Sequence, residues 1–166
     1  MKEIFERRSV RKYTDKDISS EDMEKLLKAG MNAPSAHNYK PYDLIAVKNK
    51  ETLKKLADTC IYSHMLNEAN AAIVVCSRAD DEKTPYWQAD CGAVTENILL
   101  EATHLGIGSC WLGGYPDLEK TAKEKEILGI PEEYKVFCVI SLGYPNENKK
   151  PNDNYYQEKV HYEKFL

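Results

Sequence analysis

Apolar positions recur at helical spacing through Met23, Leu26, Leu27 and Met31, just after the stretch Ile18-Ser19-Ser20-Glu21-Asp22. Ser19 or Ser20 can accept a bond from the first free N–H groups, and acids in the first turn suit the helix dipole, so a helix is predicted here. Before it, Lys2 to Arg8 predicts a short helix anchored by Ile4 and Phe5. Pro34 and Pro41 mark Asn32 to Pro41 as a loop. Tyr42 to Val47 predicts a strand, and Lys50 to Thr59 a helix with Leu53, Leu56 and Ala57 inward. Ala71 to Cys76 is continuously apolar, the pattern of a strand buried on both faces.

The longest predicted helix runs from about Tyr86 to Leu105. Cys91, Val94, Ile98, Ala102 and Leu105 make one stripe, while Ala89, Ala93 and Leu100 make a second. A helix apolar on more than one side is buried on more than one side, so it serves both a core and a subunit interface. Gly106 and Gly108 end it. Ser109 to Leu112 reads as extended, and Gly113-Gly114 permits close backbone approach or positive φ. Leu118 to Leu128 reads as a helix and Lys135 to Leu142 as a third buried strand. From Asn146 the chain is polar until Val160 and Tyr162 alternate with His161 and Glu163, which suits a strand docked on a partner. The sum is an α+β chain of one domain, residues 1–166, with residues 146–166 an extension packing on a second copy.

Composition narrows the function. With 42% hydrophobic residues the chain can build a core, and a net charge of −4 argues against nucleic acid as a partner. No apolar run is long enough to span a membrane, and no apolar stretch follows the N-terminal charges as in a secretory signal. Cys60, Cys76, Cys91, Cys110 and Cys138 are odd in number, widely spaced and free of CxxC pairs. They read as reduced thiols of a cytoplasmic protein, not as a metal site or disulfide framework. The four histidines do not cluster, so no metal is expected, and His104 reads as a hydrogen-bonded structural residue.

Three constellations carry chemistry. Arg7, Arg8, Ser9 and Arg11 combine three guanidinium groups with a hydroxyl, which suits a phosphate. A solvated basic surface is the plainer reading, but the acidity of the rest of the chain favours an anion site. Pro34, Ser35, Ala36, Asn38 and Lys40 lie in the loop between helix and strand. Asn38 both donates and accepts, as a heterocyclic imide edge requires, and Lys40 can stabilise negative charge. Leu112, Gly113 and Gly114 can offer backbone N–H groups to a planar ligand, although Gly-Gly alone also makes an ordinary turn.

In their order and spacing these segments resemble the nitroreductase family of flavoproteins, over nearly the whole chain. RRSVRKY is similar to that family's opening motif, and APSAHNYKPYDLIAV to its PSAxNxQPW loop and following strand. DCGAVTENILLEATHLGIGSCWLGGY resembles its central helix and flavin-contacting turn, and IPEEYKVFCVISLGYP with VHYEKF its end. The resemblance implies a three-layer fold with a mixed sheet between helices, in an interlocked homodimer with C-terminal strand exchange. It implies flavin mononucleotide (FMN) as cofactor, with Arg7, Arg8, Ser9 and Arg11 at its phosphate, ribityl chain and pyrimidine edge. Pro34, Ser35, Ala36 and Asn38 would reach the flavin across the interface. Leu112, Gly113 and Gly114 would lie beside the ring, with a backbone N–H near N5. Lys40 stands where many relatives have Gln, and Asn152-Asp153-Asn154 where many have a late arginine. Lys149 or Lys150 then supplies that phosphate charge.

The activity so implied is hydride transfer from NADH or NADPH, through flavin N5, to a small electrophile such as a nitroaromatic or quinone. Binding, orientation and electrostatics are the protein's part, so no catalytic side chain is assigned. Arg11 or Lys40 beside the ring would favour its negatively charged two-electron reduced form. A flavin-binding or storage protein without turnover is the alternative. A nucleic-acid or regulatory module is disfavoured by the acidic charge.

Overall fold

The computed structural model describes residues 1–78 and 82–165. Its helices are α1 (Glu3–Glu6), α2 (Ser20–Met31), α3 (Lys50–Ala57), α4 (Trp87–His104) and α5 (Leu118–Leu128). Its strands are β1 (Tyr42–Val47), β2 (Ala71–Ser77), β3 (Gly108–Gly113) and β4 (Lys135–Gly143). Local chemistry sets several of these ends. Ser19 caps α2 by accepting from the Asp22 N–H at 3.0 Å. Asn49 caps α3 and Asp117 caps α5 in the same way, and Gly129, left-handed at φ 65°, closes α5.

The strands pair in the order β1-β2-β4-β3, antiparallel throughout. The fold is α+β in three layers, as expected, but these four strands do not form a mixed sheet. Among the described residues, parallel pairing is confined to the isolated bridge between Ser9 and Ser109. Continuous apolar strands usually accompany parallel sheets because both faces are covered. Here helices cover both faces of an antiparallel sheet with the same effect.

Alternation along the strands divides the core. Ile73 and Val75 of β2, with Cys138, Ile140 and Leu142 of β4, pack on α2 and α4. Ala72, Val74, Cys110, Leu112 and Val139 face α3, α5 and the 3-10 segment Ile61–Asn67. Cys76 and Cys138 are core thiols, as expected, and burial pushes them up to about 11 and about 12.

β4 bulges at Phe137, where the β2 register slips between Val75 and Cys76. The extra residue brings Phe137 against Trp87 and Trp111, with ring centroids 6.2 and 5.7 Å away. Its carbonyl also accepts from the Gly114 N–H at 2.9 Å. A Cβ on Gly114 would stand 3.0 Å from that carbonyl oxygen, so this glycine serves close approach rather than positive φ.

Some expected burial is missing within one chain. Ile4 and Phe5 are exposed, so α1 is not anchored by them. Met31 is exposed as well. On α4 the first stripe is buried from Cys91 to Ala102 and Leu105 just beyond it is half-buried, but Ala89 is exposed and Ala93 and Leu100 are only half-buried. Among its described residues the tail from Asn146 forms no strand; it makes one 3-10 turn, Gln157–Lys159, and Tyr162 and Phe165 stand in solvent. A strand needs a ladder partner for its backbone groups, and one copy of the chain offers the tail none. Leu166, its last residue, lies outside the described residues.

α2 crosses α4 closely because Gly30 carries no side chain: a Cβ there would come within 2.9 Å of Ile98. Gly30→Val should therefore destabilise the protein by about 1–3 kcal/mol through overpacking, despite better helix propensity. Urea unfolding should also show that Gly30→Val/Ile98→Ala loses less than the sum of the two single changes.

Candidate active site

β3 is an edge strand, and its backbone groups organise the site. In an antiparallel ladder, residues that exchange bonds with the neighbouring strand alternate with residues whose N–H and C=O point away. Gly114 donates to Phe137, so Gly108, Cys110 and Leu112 face β4, while Ser109, Trp111 and Gly113 face outward. The outward carbonyl of Ser109 accepts from the Val10 N–H at 2.9 Å. The outward carbonyl of Gly113 accepts from the Lys120 ammonium. The Gly114 N–H, one of the donors expected for a ligand, is thus committed to the sheet, and Gly113 supplies the outward donor beside it.

A cavity of about 350 Å³ opens along this edge. Its walls are Arg11, the segment from Cys60 to Met65, Cys110 to Gly113, and Asp117 and Lys120 at the start of α5. Of the expected ligand-binding residues, Arg11, Leu112 and Gly113 line it. The sequence reading missed Tyr62, His64 and Lys120. The stretch from Cys60 to Met65 has no apolar periodicity to give it away, and Lys120 reads from sequence as a solvated helix lysine.

The arginine cluster lies beside the start of β3. Val10 is stitched to Ser109, Tyr13 bridges Pro145, and the Asn146 N–H donates to the Lys12 carbonyl at 2.9 Å. The N-terminal segment is thereby held between β3 and the start of the tail. Lys149 donates to the Ser9 carbonyl at 2.5 Å, and Arg8 donates to the Lys150 carbonyl. Residues about 140 positions apart thus meet.

Burial raises the Cys110 thiol, opposed by Arg11, the Ser9 hydroxyl, Lys149 and Arg7. All four groups therefore bear on one point. Carboxylates hold two of these cations in place: Glu96 is 3.5 Å from Arg7, and Glu147 is 3.2 Å from Lys149. Burial acts to raise Glu147, but the Arg11 N–H and the Lys149 ammonium outweigh it and hold the carboxyl below its ordinary range. Lys150 brings only its carbonyl to the cluster; the residue is exposed.

The loop from Pro34 to Lys40 sits elsewhere, by β1. His37, Asn38 and Lys40 all have positive φ, at 53°, 57° and 49°. Three such non-glycine residues together mark stored backbone strain, held by surrounding bonds. The Ala36 N–H donates to the buried Asp90 carboxylate at 2.9 Å, the Lys40 N–H donates to Ser35 Oγ at 2.9 Å, and Ser77 Oγ donates to the Pro41 carbonyl. Pro34, Asn38 and Lys40 are exposed. Three strand spacings, roughly 14 Å, separate β1 from β3, so one chain does not bring this loop to the cavity. His104 Nδ1 donates to the Glu3 carboxylate at 3.1 Å, consistent with a structural role.

Behind the cavity wall, Glu124 forms a buried pair with Lys120 at 3.6 Å. Burial pushes the Glu124 carboxyl up to about 7, against the pull of Lys120. Its folded value exceeds its unfolded one, so the native state binds more protons between about 4.5 and about 7. Its contribution to stability therefore falls as pH rises through that window. Lys120→Met/Glu124→Leu should lose this slope in unfolding measured from pH 4.5 to 8. At pH 7 it should equal or exceed the parent in stability, as apolar replacements of buried pairs often do.

Comparison with known proteins places this architecture. A family model described as "Putative TM nitroreductase" matches residues 1–164. A relative from Archaeoglobus fulgidus, named "Putative NADH dehydrogenase/NAD(P)H nitroreductase", is 49% identical over 99% of this chain and 98% of its own. The solved structure of an FMN-dependent nitroreductase from Clostridium difficile superposes with a TM-score of 0.91 at 34% identity, covering 98% of both chains. That of a "Putative NADH Oxidase" from Clostridium acetobutylicum gives 0.92 at 40% identity, covering 98% of this chain and 99% of that one. With a sheet edge, a cation cluster and a strained loop arranged on this frame, the chain belongs to the nitroreductase family of oxidoreductases.

Proposed function

We propose that this protein is an FMN-dependent oxidoreductase that takes hydride from NADH or NADPH and delivers it to a small electrophile such as a nitroaromatic or quinone. The observation that carries the reading is the cavity on the β3 edge, where an outward Gly113 N–H and the Arg11 guanidinium face one space next to a cation cluster. Its volume falls in the range of small-molecule sites. A cation cluster for a phosphate, and a donor and a cation for a heterocycle, are the set FMN needs. Relatives named as NAD(P)H nitroreductase and FMN-dependent nitroreductase support the same reading.

In this reading Arg7, Arg8, Ser9 and Lys149 hold the phosphate end, and Arg11, which lines the cavity with Gly113, holds the polar edge of the ring. Glu96 and Glu147 keep the cations aligned until the phosphate shares them. Lys149, through its bond to Ser9, supplies the charge that the Asn152-Asp153-Asn154 stretch lacks. Gly113 donates to the ring edge, and Leu112 closes the apolar wall. When bound, FMN supplies a hydride acceptor and donor at N5, which no side chain provides. The positive potential of Arg11 favours negative charge on the adjacent ring edge.

The loop Pro34-Ser35-Ala36 with Asn38 and Lys40 completes the site from a second copy. Its distance from β3 within one chain, the uncovered second stripe of α4 and the exposed Ile4, Phe5 and Phe165 support a homodimer. Asp90 preshapes the loop, and the strand exchanged by the tail covers the join. Residues 1–166 act as one domain in this arrangement.

The purified protein should be yellow with two flavin bands, release FMN on denaturation, and oxidise NAD(P)H when an acceptor is added. A colourless protein that takes up no FMN would refute the reading, and bound flavin without turnover would make it a flavin-binding protein. Arg7→Ala/Arg11→Ala should release flavin, each lost charged bond costing about 1.5–3 kcal/mol. Lys149→Ala should weaken FMN binding clearly in fluorescence titration, whereas Asn154→Ala should change it little. Deleting residues 159–166 should lower the dimer fraction in light scattering and loosen FMN together.

A further inference from the structure

The cofactor reading leaves one buried ion pair without a task. Lys120 and Glu124 stand one helical turn apart on α5, with only 6% and 1% of their side chains exposed. Desolvating two charges costs several kcal/mol per ion, and an apolar pair of similar volume would hold α5 at least as well. The pair is not perfected as a bridge either. Its separation is 3.6 Å, and Glu124 Oε2 has no hydrogen-bond partner among the described residues.

What the pair does is reach β3. The Lys120 ammonium bonds the outward carbonyl of Gly113, and the same side chain lines the cavity. A strand residue points its own N–H and C=O to the same side, so fixing the carbonyl also fixes the direction of the donor. Gly113 needs such a hold: an added Cβ would meet nothing within 4 Å, so no side-chain packing steadies it on that side. The Asp117 cap accepts from the Lys120 N–H at 3.0 Å and sets where α5 begins, which fixes the reach of the lysine.

We propose that Lys120 is a positioning residue for the flavin-facing edge of β3, clamping the Gly113 carbonyl and bringing positive potential to the cavity wall, with Glu124 setting how much of that potential the cavity feels. This rests on the FMN reading above. The two members of the pair lie at different depths: Lys120 reaches the cavity and Glu124 lies behind it. Removing one or the other therefore shifts the potential at the flavin in opposite directions. Damage to packing alone would not reverse sign.

The test is a spectroelectrochemical titration of the FMN-loaded protein, with FMN dissociation constants measured alongside. Above pH 8, where the Glu124 carboxyl is ionised, Glu124→Gln leaves the ammonium uncompensated and should raise the flavin midpoint potential. Lys120→Met should lower it and weaken FMN binding roughly tenfold, while Lys120→Arg should recover most of the affinity. Lys120→Met/Glu124→Leu, which keeps α5 packed, should bind FMN as weakly as Lys120→Met with thermal stability no lower than the parent's. Shifts of the same sign, or none, in variants of a parent that binds FMN would overturn the proposal. A parent that binds no FMN would instead refute the cofactor reading, and this inference with it.

Discussion

The outward backbone groups of β3 need partners, because an edge strand presents a row of N–H and C=O groups that its own sheet cannot satisfy. This molecule meets the need with three different chemistries. Val10 closes on Ser109 with a backbone bond. Lys120 closes on Gly113 with an ammonium. Between them the edge faces a cavity, with Gly113 offering its N–H to whatever enters. Satisfying Ser109 pulls in the N-terminal segment with its arginines. Satisfying Gly113 pulls in α5. The walls of the proposed flavin site follow from completing one strand.

The same constraint explains why residues so distant in sequence converge. Once Val10 lies along β3, Tyr13 meets Pro145 and the start of the tail runs back past Ser9. Lys149 then joins a cluster whose other members come from the extended segment just after α1. The loop after α2 belongs to the opposite edge of the sheet, where Asp90 and Ser77 hold its strained backbone. Backbone strain of this kind persists only when other contacts over-determine it, as is common where a ligand is held. In the proposed dimer, one chain's β1 edge would face the other's β3 edge, and the strain would serve a site that neither chain forms alone.

Much of this was legible in the sequence where the signal was local. β1 and α5 begin and end where the pattern put them, because Asp117 and Gly129 are strong caps and Pro41 sits just before the strand. The arginine cluster was legible by its charge, and its meeting with Lys149 supports that reading without testing it. The segment from Cys60 to Met65 was not legible, since a 3-10 run has no apolar period to detect. Lys120 and Glu124 were hidden for a different reason. An i, i+4 lysine and glutamate on a helix normally mark a solvated face, and only the sheet edge beneath them shows otherwise. Ile4 and Phe5 were read as anchors of α1; within one chain they are exposed, because hydrophobicity speaks to burial without saying in which copy, and the tail, read as docked on a second copy, stands exposed in one.

The central claim is that the β3 edge holds the flavin. A crystal structure of the protein grown with FMN tests it most directly. The account predicts the ring against the Gly113 N–H with Arg11 at its polar edge, the phosphate among Arg7, Arg8, Ser9 and Lys149, and the Pro34 to Lys40 loop of a second copy over it. A flavin bound away from β3, or with its phosphate outside that cluster, would contradict it.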